Sequence, residues 1–277
     1  MYWQTSRHRI DLSRPRVMGI VNITPDSFSD GGRSTLAAIA HCEQLLKDGA
    51  DLLDIGGEST RPGSQPVSAL EELARVQPVL EAAVRFGVPI SIDTCKPLVM
   101  QAALDLGVDI VNDVLALQAP GAVEVVAEHP SCGVCLMHMQ GEPRSMQEAP
   151  AYADVVAEVR DFLVGRATLL GRHSVAAERI VLDPGIGFGK RVVDNFALLP
   201  GQQALRALGY PVLAGWSRKS SLGAVTGRAV SDRLVASVVA ALAAVQWGAA
   251  IVRVHDVAAT VDALKVWQHA RVPPSTA

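Results

Sequence analysis

The sequence predicts a (β/α)8 barrel, the TIM-barrel fold, formed as a single domain by residues 1–277. Eight short β-branched runs alternate along the chain with longer segments whose apolar residues recur three and four positions apart. No hydrophilic linker and no shift in composition divides the chain into parts. An open, doubly wound sheet is the alternative, but that fold needs a topological switch point and usually has fewer strands.

The predicted strands and helices follow one another in regular order. The strands are residues 17–23, 52–56, 89–93, 109–112, 134–139, 180–183, 212–216 and 251–255. The helical spacing of the first helix is carried by Leu36, Ile39, Ala40, Leu45 and Leu46. Ser68 and Glu71 form a capping box that marks the start of the second helix, and Asp256 is placed to cap the last one.

One apolar stretch tests the assignment of a globular fold. Residues 234–252 contain 19 positions without a formal charge, which is long enough to cross a bilayer. Gly248 separates an Ala-rich helix from a β-branched run, and this run continues past the stretch to include Arg253. We therefore expect a buried helix followed by a buried strand, with no contact with a membrane. The helix, residues 234–247, is also apolar enough to offer a face for a homodimer.

The charge balance and the cysteines limit the partners and the compartment. Lys and Arg number 25 against 28 Asp and Glu, which gives a net charge of −3 and argues against a general nucleic-acid binder. Any bound anion is therefore expected to be small. Four irregularly placed cysteines form no disulfide framework, and residues 1–16 contain no apolar run of the kind found in a signal peptide. A cytoplasmic location follows as an expectation.

Polar side chains stand at the end of each predicted strand. They are Asn22, Glu58, Thr60, Arg61, Asp93, Asn112, His138, Asp183, Ser217, Arg218, Lys219, Arg253 and His255. In a TIM barrel these strand ends and the loops after them form the active site. The loops after the first and second strands, residues 22–32 and 56–63, are long and rich in Gly and Pro, which suits mobile lids.

The residue types at these strand ends indicate the kind of ligand. Arg61, Lys219 and Arg253 bring cationic groups to one face of an acidic protein, and a phosphate-bearing substrate is the simplest reason for them. Asp93 and Asp183 are costly to bury alone, so they require cations, a metal or N–H donors such as those of a heterocycle. A nitrogen heterocycle that carries phosphate satisfies both requirements.

Two motifs suggest chemistry that the chain does not support. Residues 185–190 resemble a nucleotide-binding loop, but the Walker pattern requires Gly and Ser or Thr where this chain has Pro184 and Arg191. Cys132 and Cys135 have redox or zinc spacing, yet no second pair completes a zinc site and no helix starts at the motif. We interpret both cysteines as packing residues.

Taken in order, the strand-end motifs resemble those of the dihydropteroate synthase family. The motifs are NITPDSFSDGG at 22–32, GGESTRPG at 56–63, DT at 93–94, ND at 112–113, LMHMQG at 136–141, DPGIGFGK at 183–190, SRKS at 217–220 and RVHD at 253–256. The resemblance spans residues 17–257, which is nearly the whole chain. It implies a transferase of folate synthesis that condenses (7,8-dihydropterin-6-yl)methyl diphosphate with 4-aminobenzoate, forming 7,8-dihydropteroate and diphosphate.

The resemblance also implies a role for individual residues. Those implied to bind the pterin are Asp93, Asn112, Met137, Asp183, Phe188, Lys219 and Arg253. Those implied to bind the diphosphate are Asn22, Thr60, Arg61, Arg253 and His255. Those implied to bind aminobenzoate, where sulfonamides compete in this family, are Phe28, Thr60, Pro62, Ser217, Arg218 and Lys219. Mg²⁺ is implied as the cofactor on Asn22 and Asp30, and the implied catalytic residues are Asp93, Lys219, Arg253 and His255.

Two other functions share part of this pattern. A pterin-binding barrel that passes a methyl group from methyltetrahydrofolate to a corrinoid protein would keep the Asp and Asn anchors, but it gives no reason for Arg61, Lys219, Arg253 and His255 to share one mouth. A catalytically silent paralogue that only binds pterin is expected to lack one of the strand-end residues, and none is missing. The resemblance to a synthase also implies a homodimer.

Overall fold

A computed structural model describes residues 1–23, 31–59, 64–142 and 145–271, and of residues 31–34 and 271 it describes the backbone alone. Its main sheet has eight parallel strands, which are β3 (Arg16–Asn22), β4 (Leu52–Gly56), β5 (Ile90–Asp93), β6 (Ile110–Asp113), β7 (Gly133–Met137), β8 (Ile180–Asp183), β9 (Leu213–Ala214) and β10 (Ile251–Val254). The strand order is β8-β7-β6-β5-β4-β3-β10-β9. A parallel bridge between Leu182 and Val212 joins the two ends of this sheet. The predicted barrel is therefore confirmed, and the open sheet is excluded.

Helices connect the strands as the spacing predicted. They are α1 (Gly31–Lys47), α2 (Ala69–Ala83), α3 (Pro97–Asp105), α4 (Ala122–Glu128), α5 (Val155–Arg172), α6 (Val192–Arg206), α7 (Ser220–Thr226), α8 (Leu234–Gln246) and α9 (Val257–Arg271). The Ser68 hydroxyl accepts a hydrogen bond from the Glu71 amide and caps α2. Asp256 directly precedes α9, and its carboxylate binds Arg218.

All eight predicted strands are present, and the largest difference in length is in β9. Residues 212–216 were predicted as a strand, but only Leu213 and Ala214 pair regularly. Pro211 stands immediately before this segment and can offer the sheet only its carbonyl, which accepts a hydrogen bond from the Leu182 amide. Regular pairing also stops after Ala214, and Ser217 and Lys219 lie in the connection to α7.

A short hairpin at the start of the chain covers the end of the barrel opposite the strand-end loops. Its strands, β1 (Tyr2–Gln4) and β2 (Arg9–Asp11), pair antiparallel. Trp3 is fully buried in a cluster with residues that begin the barrel strands, and its indole N–H donates to the Arg179 carbonyl at 2.9 Å. A Cβ at Gly133 would approach Trp3 and Thr5 to 3.0 Å, so glycine there lets the hairpin pack tightly on β7. The hairpin was not predicted from the sequence.

The uncharged stretch 234–252 forms α8 and β10, as predicted. Across the described residues, no helix is both long and apolar enough to cross a membrane. Residues Ser237, Ala240, Ala241, Ala244 and Val245 of α8 face the barrel. Small side chains on this face let the helix approach the strands closely. The outer face of α8 is apolar as well, and Val235 and Val239 are 74% and 59% exposed.

Candidate active site at the barrel mouth

The centre of the candidate site is the guanidinium of Arg253, which projects from β10. Its Nε donates to Asp54 Oδ2 and its Nη2 donates to Asp93 Oδ2, both at 2.6 Å. Asn112 Nδ2 donates to the same Asp54 oxygen at 3.1 Å. The neighbouring strands β4 and β5 therefore each present a carboxylate to one cation, and β6 adds an amide that binds the Asp54 carboxylate. The arrangement keeps Arg253 charged, because the two carboxylates raise its pKa despite burial.

Asp54 is the member of this network that the sequence analysis missed. It lies in the middle of β4, where all five residues are buried, and its side chain is fully shielded from solvent. A carboxylate in an apolar strand is costly unless it is paired, and that signal could have identified it. Its Oδ2 is shared by Arg253 and Asn112, whereas its buried Oδ1 has no hydrogen-bond partner within the described part of the chain. Asp54 therefore orients two predicted ligand-binding side chains at once.

The same network sets the orientation of the Asn112 amide. Because Asp54 Oδ2 can only accept hydrogen bonds when ionised, the NH₂ group of Asn112 faces it. The Asn112 carbonyl oxygen is left as the group available to a ligand. Asp93 also has one oxygen engaged by Arg253, and burial raises the pKa of Asp93 to about 7 although Arg253 opposes the shift. The site thus presents acceptors suited to ring N–H and amino groups.

Asp183 and Lys219 form a second part of the site. Asp183 ends β8, and its Oδ1 accepts the Gly185 amide at 2.7 Å. Lys219 Nζ lies 4.0 Å from the centroid of the Phe188 ring, a cation–π distance. Burial, with a further contribution from Arg253, lowers the pKa of Lys219 to about 8 although Asp183 and Asp93 oppose the shift. The lysine is therefore mostly charged at neutral pH and loses its proton just above it.

An apolar wall stands beside these polar groups. It is built from Val114, Met137, Met139 and Met146, against which Cys95, Leu115 and Phe188 pack. Met137 and Phe188 are the two wall residues predicted from the sequence. Thioether side chains adapt to the outline of a ligand, and an aromatic ring offers a stacking face. A flat heterocycle with polar edges matches such a wall next to carboxylates and an amide.

Ser217 and His255 meet on the far side of Arg253. The Ser217 hydroxyl lies 3.0 Å from His255 Nδ1 and accepts the His255 backbone amide at 3.1 Å. The hydroxyl therefore contacts both the backbone and the ring of His255, and it holds the imidazole in place at the end of β10. Arg218 points to the rim instead, where it binds Asp256 through two hydrogen bonds. Asn22 ends β3, opposite Gly56 of β4.

Comparisons with known proteins agree with this geometry. A family model described as "Pterin binding enzyme" matches residues 18–255. Dihydropteroate synthase from Neisseria meningitidis serogroup B is 54% identical over 274 residues, which is 96% of each chain. The chain belongs to the dihydropteroate synthase family.

Solved structures of this family superpose on the whole chain. Xanthomonas albilineans dihydropteroate synthase with 4-aminobenzoic acid has a TM-score of 0.93 at 51% identity, and covers 99% of this chain and 100% of its own. The Burkholderia cenocepacia enzyme complexed with 7,8-dihydropteroate has a TM-score of 0.88 at 52% identity, covering 98% of this chain and 96% of its own. The Yersinia pestis enzyme with a sulfonamide drug has a TM-score of 0.93 at 43% identity, covering 98% and 99%.

The glycine-rich segment 183–190 of this dihydropteroate synthase family member holds two loops together. Gly185 and Gly189 have left-handed φ values of 69° and 60°, and a Cβ at either would collide with a carbonyl of the loop after β7. The Lys190 ammonium is surrounded by His138 Nδ1 at 2.9 Å and by three carbonyl oxygens within 3.2 Å. Burial, with a further contribution from Lys190, lowers the pKa of His138 to about 3. His138 is therefore a neutral structural residue inside the loop.

The described chain accounts for only part of the predicted site. It brings together Asp93, Asn112, Met137, Asp183, Phe188, Lys219, Arg253, Ser217 and His255, with Arg218 at the rim. Phe28, Asp30, Thr60, Arg61 and Pro62 lie outside the described residues. Cys132 and Cys135 are buried free thiols, as predicted, and Arg179 donates to Cys132.

Proposed function

We propose that this chain catalyses the condensation of (7,8-dihydropterin-6-yl)methyl diphosphate with 4-aminobenzoate, forming 7,8-dihydropteroate and diphosphate. The observation that carries the proposal is the Arg253 network beside the methionine and phenylalanine wall. It combines acceptors for the edge of a heterocycle with cations for a phosphate. Membership of the dihydropteroate synthase family supports the same reaction. The enzyme is thus a transferase of an alkyl or aryl group other than methyl.

The pterin lies between the carboxylates and the apolar wall in this proposal. Asp93, Asn112 and Asp183 accept hydrogen bonds from its ring N–H and amino groups. Lys219 faces its carbonyl oxygen and N5, and Met137 and Phe188 cover its faces. The free Oδ1 of Asp54 provides a further buried acceptor at the base of the pocket, for a water molecule or a ligand N–H.

The diphosphate is bound by Arg253 and His255, with Arg61 and Thr60 contributing from outside the described residues. We propose Mg²⁺ as the cofactor, held by the Asn22 side-chain oxygen together with Asp30 and diphosphate oxygens. No cluster of three potential His, Cys, Asp or Glu ligands occurs within the described ranges. Mg²⁺ fits nonetheless, because it commonly takes only one or two protein oxygens along with phosphate and water. When bound, it supplies charge that stabilises the departing diphosphate.

The chain's own cations stabilise the leaving group, and the chain supplies no nucleophile. Arg253 and His255 donate hydrogen bonds to the phosphate oxygens as the carbon–oxygen bond lengthens. The positive charge left on the methylene carbon is shared with the electron-rich pterin. The aniline nitrogen then bonds to this carbon and releases a proton. Electron-withdrawing substituents on the pterin should therefore slow turnover when the chemical step is rate-limiting. If they do not, cleavage of the carbon–oxygen bond does not precede attack by the aniline nitrogen.

The aminobenzoate lies over the reactive carbon. Ser217 and Lys219 border it from the connection after β9, and Phe28, Thr60 and Pro62 complete the pocket in this proposal. Arg218 is held at the rim by Asp256, where it offers long-range attraction to the carboxylate of aminobenzoate. A sulfonamide, which imitates aminobenzoate, would compete for the same place.

A direct assay tests the proposed reaction. Pyrophosphate release is followed with the pterin diphosphate and Mg²⁺, with and without 4-aminobenzoate, in wild type and in Asp183→Ala. Release and dihydropteroate are expected together, to depend on aminobenzoate and on Mg²⁺, and to collapse in the variant. A protein that binds pterin and forms neither product is a silent paralogue, and one that methylates a corrinoid partner from methyltetrahydrofolate is a methyltransferase.

The rate should fall above about pH 8, because the ammonium of Lys219, whose pKa is lowered to about 8, loses its proton there. The charged form, which faces the pterin carbonyl, is present below that pH and disappears above it. The measurement is kcat/KM for the pterin diphosphate from pH 6 to pH 10. Lys219→Arg should be less active at neutral pH but should lack this basic limb. If kcat/KM of Lys219→Arg still falls near pH 8, the decrease reflects the titration of a group other than Lys219.

We also propose that the chain forms a homodimer through α8 and α9. Val235 and Val239 are exposed on α8, Val266 is 70% exposed on α9, and a groove of about 460 Å³ runs between the helices at Leu242 and Trp267. The exposed face of α8 is apolar, and Val266 extends it onto α9 beside the charged Asp262 and Lys265. In a second copy related by a twofold axis, this face would pack against the same face of its partner. The four free thiols support a cytoplasmic location.

Introducing charge on this face is expected to yield a monomer. Val235→Glu with Val239→Glu places two carboxylates against their own counterparts across the proposed axis. Light scattering after gel filtration should give about 29 kDa for the variant and twice that mass for wild type. Glu replacing Val193, which is 66% exposed on α6, is the matched control and should leave the dimer intact. A monomeric wild type would refute the proposal.

A further inference from the structure

The residue that follows the pterin-binding Asn112 is a second buried carboxylate with a different environment. Asp113 is fully buried, and its two oxygens accept the backbone amides of Leu115 at 2.8 Å and Leu117 at 2.7 Å. The Ala116 amide donates to the Asp113 carbonyl at 3.0 Å. Asp113 therefore binds the turn that leaves β6, and it makes no contact with Arg253 in the way that Asp54 and Asp93 do.

This turn has an unusual backbone. Ala116 and Leu117 are consecutive non-glycine residues with φ values of 51° and 59°, in the left-handed region. Such a conformation is unfavourable for each residue with a Cβ and persists only where neighbouring groups hold it. Both residues are buried, Ala116 completely and Leu117 almost so. The strained pair lies four and five residues beyond Asn112, in the barrel mouth.

A second group holds the turn from the opposite side. Arg166 of α5 donates from Nε to the Ala116 carbonyl and from Nη2 to the Leu117 carbonyl, both at 2.7 Å. The planar fork of a guanidinium suits two adjacent carbonyls that point the same way, as a lysine could not. The backbone amides of Ala116 and Leu117 are bound by Asp113, and their carbonyls are bound by Arg166. Every polar backbone group of the left-handed pair therefore has a hydrogen-bond partner.

The residues carried by this turn form part of the apolar wall. Val114 packs against Met137 and Met139, and Leu115 packs on the same cluster together with Phe188. Their position depends on the path of the backbone between Asn112 and Leu117. A relaxed turn would move Val114 and Leu115 without touching the polar ligands of the pocket.

We propose that Asp113 and Arg166 are positioning residues that clamp the left-handed turn at Ala116 and Leu117 and thereby shape the wall that receives the heterocycle. The inference rests on the proposed pterin site and adds a determinant of affinity that contacts no substrate. Loss of either residue is expected to weaken binding of the pterin diphosphate alone. The aminobenzoate pocket lies on other loops, so its affinity is independent of the clamp.

Arg166→Ala tests the clamp through steady-state kinetics with both substrates. KM for the pterin diphosphate should rise about 5- to 30-fold. Without the hydrogen bonds from Arg166, the left-handed turn is less populated, and only that conformation shapes the wall for pterin binding. We expect kcat and KM for aminobenzoate to change less than about twofold. Arg160→Ala is the matched control, because Arg160 also lies on α5 but pairs with its neighbour Asp161 at the surface. It should behave as wild type.

A rescue variant separates positioning from general damage. Adding Ala116→Gly to Arg166→Ala removes the Cβ that disfavours the left-handed conformation, and we expect it to recover about fivefold in KM for the pterin diphosphate. If Arg166→Ala does not fold, Arg166→Lys, which keeps the charge without the fork, takes its place with the same expected rescue. Equal increases in both KM values, or no recovery with glycine, would overturn the proposal. An inactive wild type would instead refute the proposed function.

Discussion

Arg253→Ala is expected to lower kcat/KM for the pterin diphosphate by at least about 100-fold, the loss typical of removing a preorganised donor to developing charge. The guanidinium also separates two carboxylates, Asp54 and Asp93, by binding one through Nε and the other through Nη2. Without it, two buried negative charges face each other, so one of them should take up a proton. A protonated Asp93 would present a donor where the pterin needs an acceptor.

The measurement for Arg253→Ala is kcat/KM with each substrate, with circular dichroism to confirm the fold. Arg253→Lys keeps a positive charge but cannot bridge the two carboxylates, and it should recover only part of the loss. Arg14→Ala is the control for removal of an arginine that pairs with a carboxylate, since Arg14 binds Asp51 away from the site. Activity of Arg253→Ala within tenfold of wild type would show that the network does not serve the reaction.

Asp54→Ala is expected to destabilise the protein by about 3–5 kcal/mol, because one partner of a buried ion pair is left uncompensated. The change leaves Arg253 with Asp93 alone and releases the Asn112 amide, so the pterin loses two oriented groups at once. A fall in kcat/KM for the pterin diphosphate of about 100-fold or more is expected. Urea unfolding and steady-state kinetics measure the two effects.

Asp54→Asn is the matched control for the loss of charge without loss of volume. Its amide oxygen can still accept from Arg253, so stability should fall less than in Asp54→Ala. Its NH₂ group can turn toward Asn112 and favour a flipped Asn112 amide, which would present a donor to the pterin. Asp54→Asn should therefore bind pterin weakly while remaining folded. If Asp54→Asn and Asp54→Ala both bind pterin about as tightly as wild type, Asp54 has no positioning role.

The strand pattern and the strand-end residues could be read from the sequence because both depend on short-range order. Eight β-branched runs alternate with helical spacing, and parallel strands joined by helices must all end on the same side of the barrel. Asp93, Asn112, Asp183 and Arg253 therefore share one mouth whatever the details of packing. The order of the motifs resembles that of the dihydropteroate synthase family, and the comparisons confirm this prediction.

Tertiary structure alone decided which of these groups touch. Asp54 has no neighbouring motif, and its importance comes from Arg253, which is 199 residues away along the chain. Asp113 follows Asn112 directly, yet its carboxylate binds the backbone amides of Leu115 and Leu117 while Asn112 faces Asp54. The hairpin Tyr2–Gln4 with Arg9–Asp11 has strands too short for a periodic signal.

The physical reason is the range of the interactions involved. Hydrophobic periodicity is set by residues within one or two turns, so the sequence by itself determined the elements and their order. The pairing of buried charges depends on distances near 3 Å between groups on different strands, which only the closed barrel creates. Likewise, the carbonyl of Ala116 in the left-handed turn is bound by Arg166, which lies on a helix that the sequence places 50 residues away.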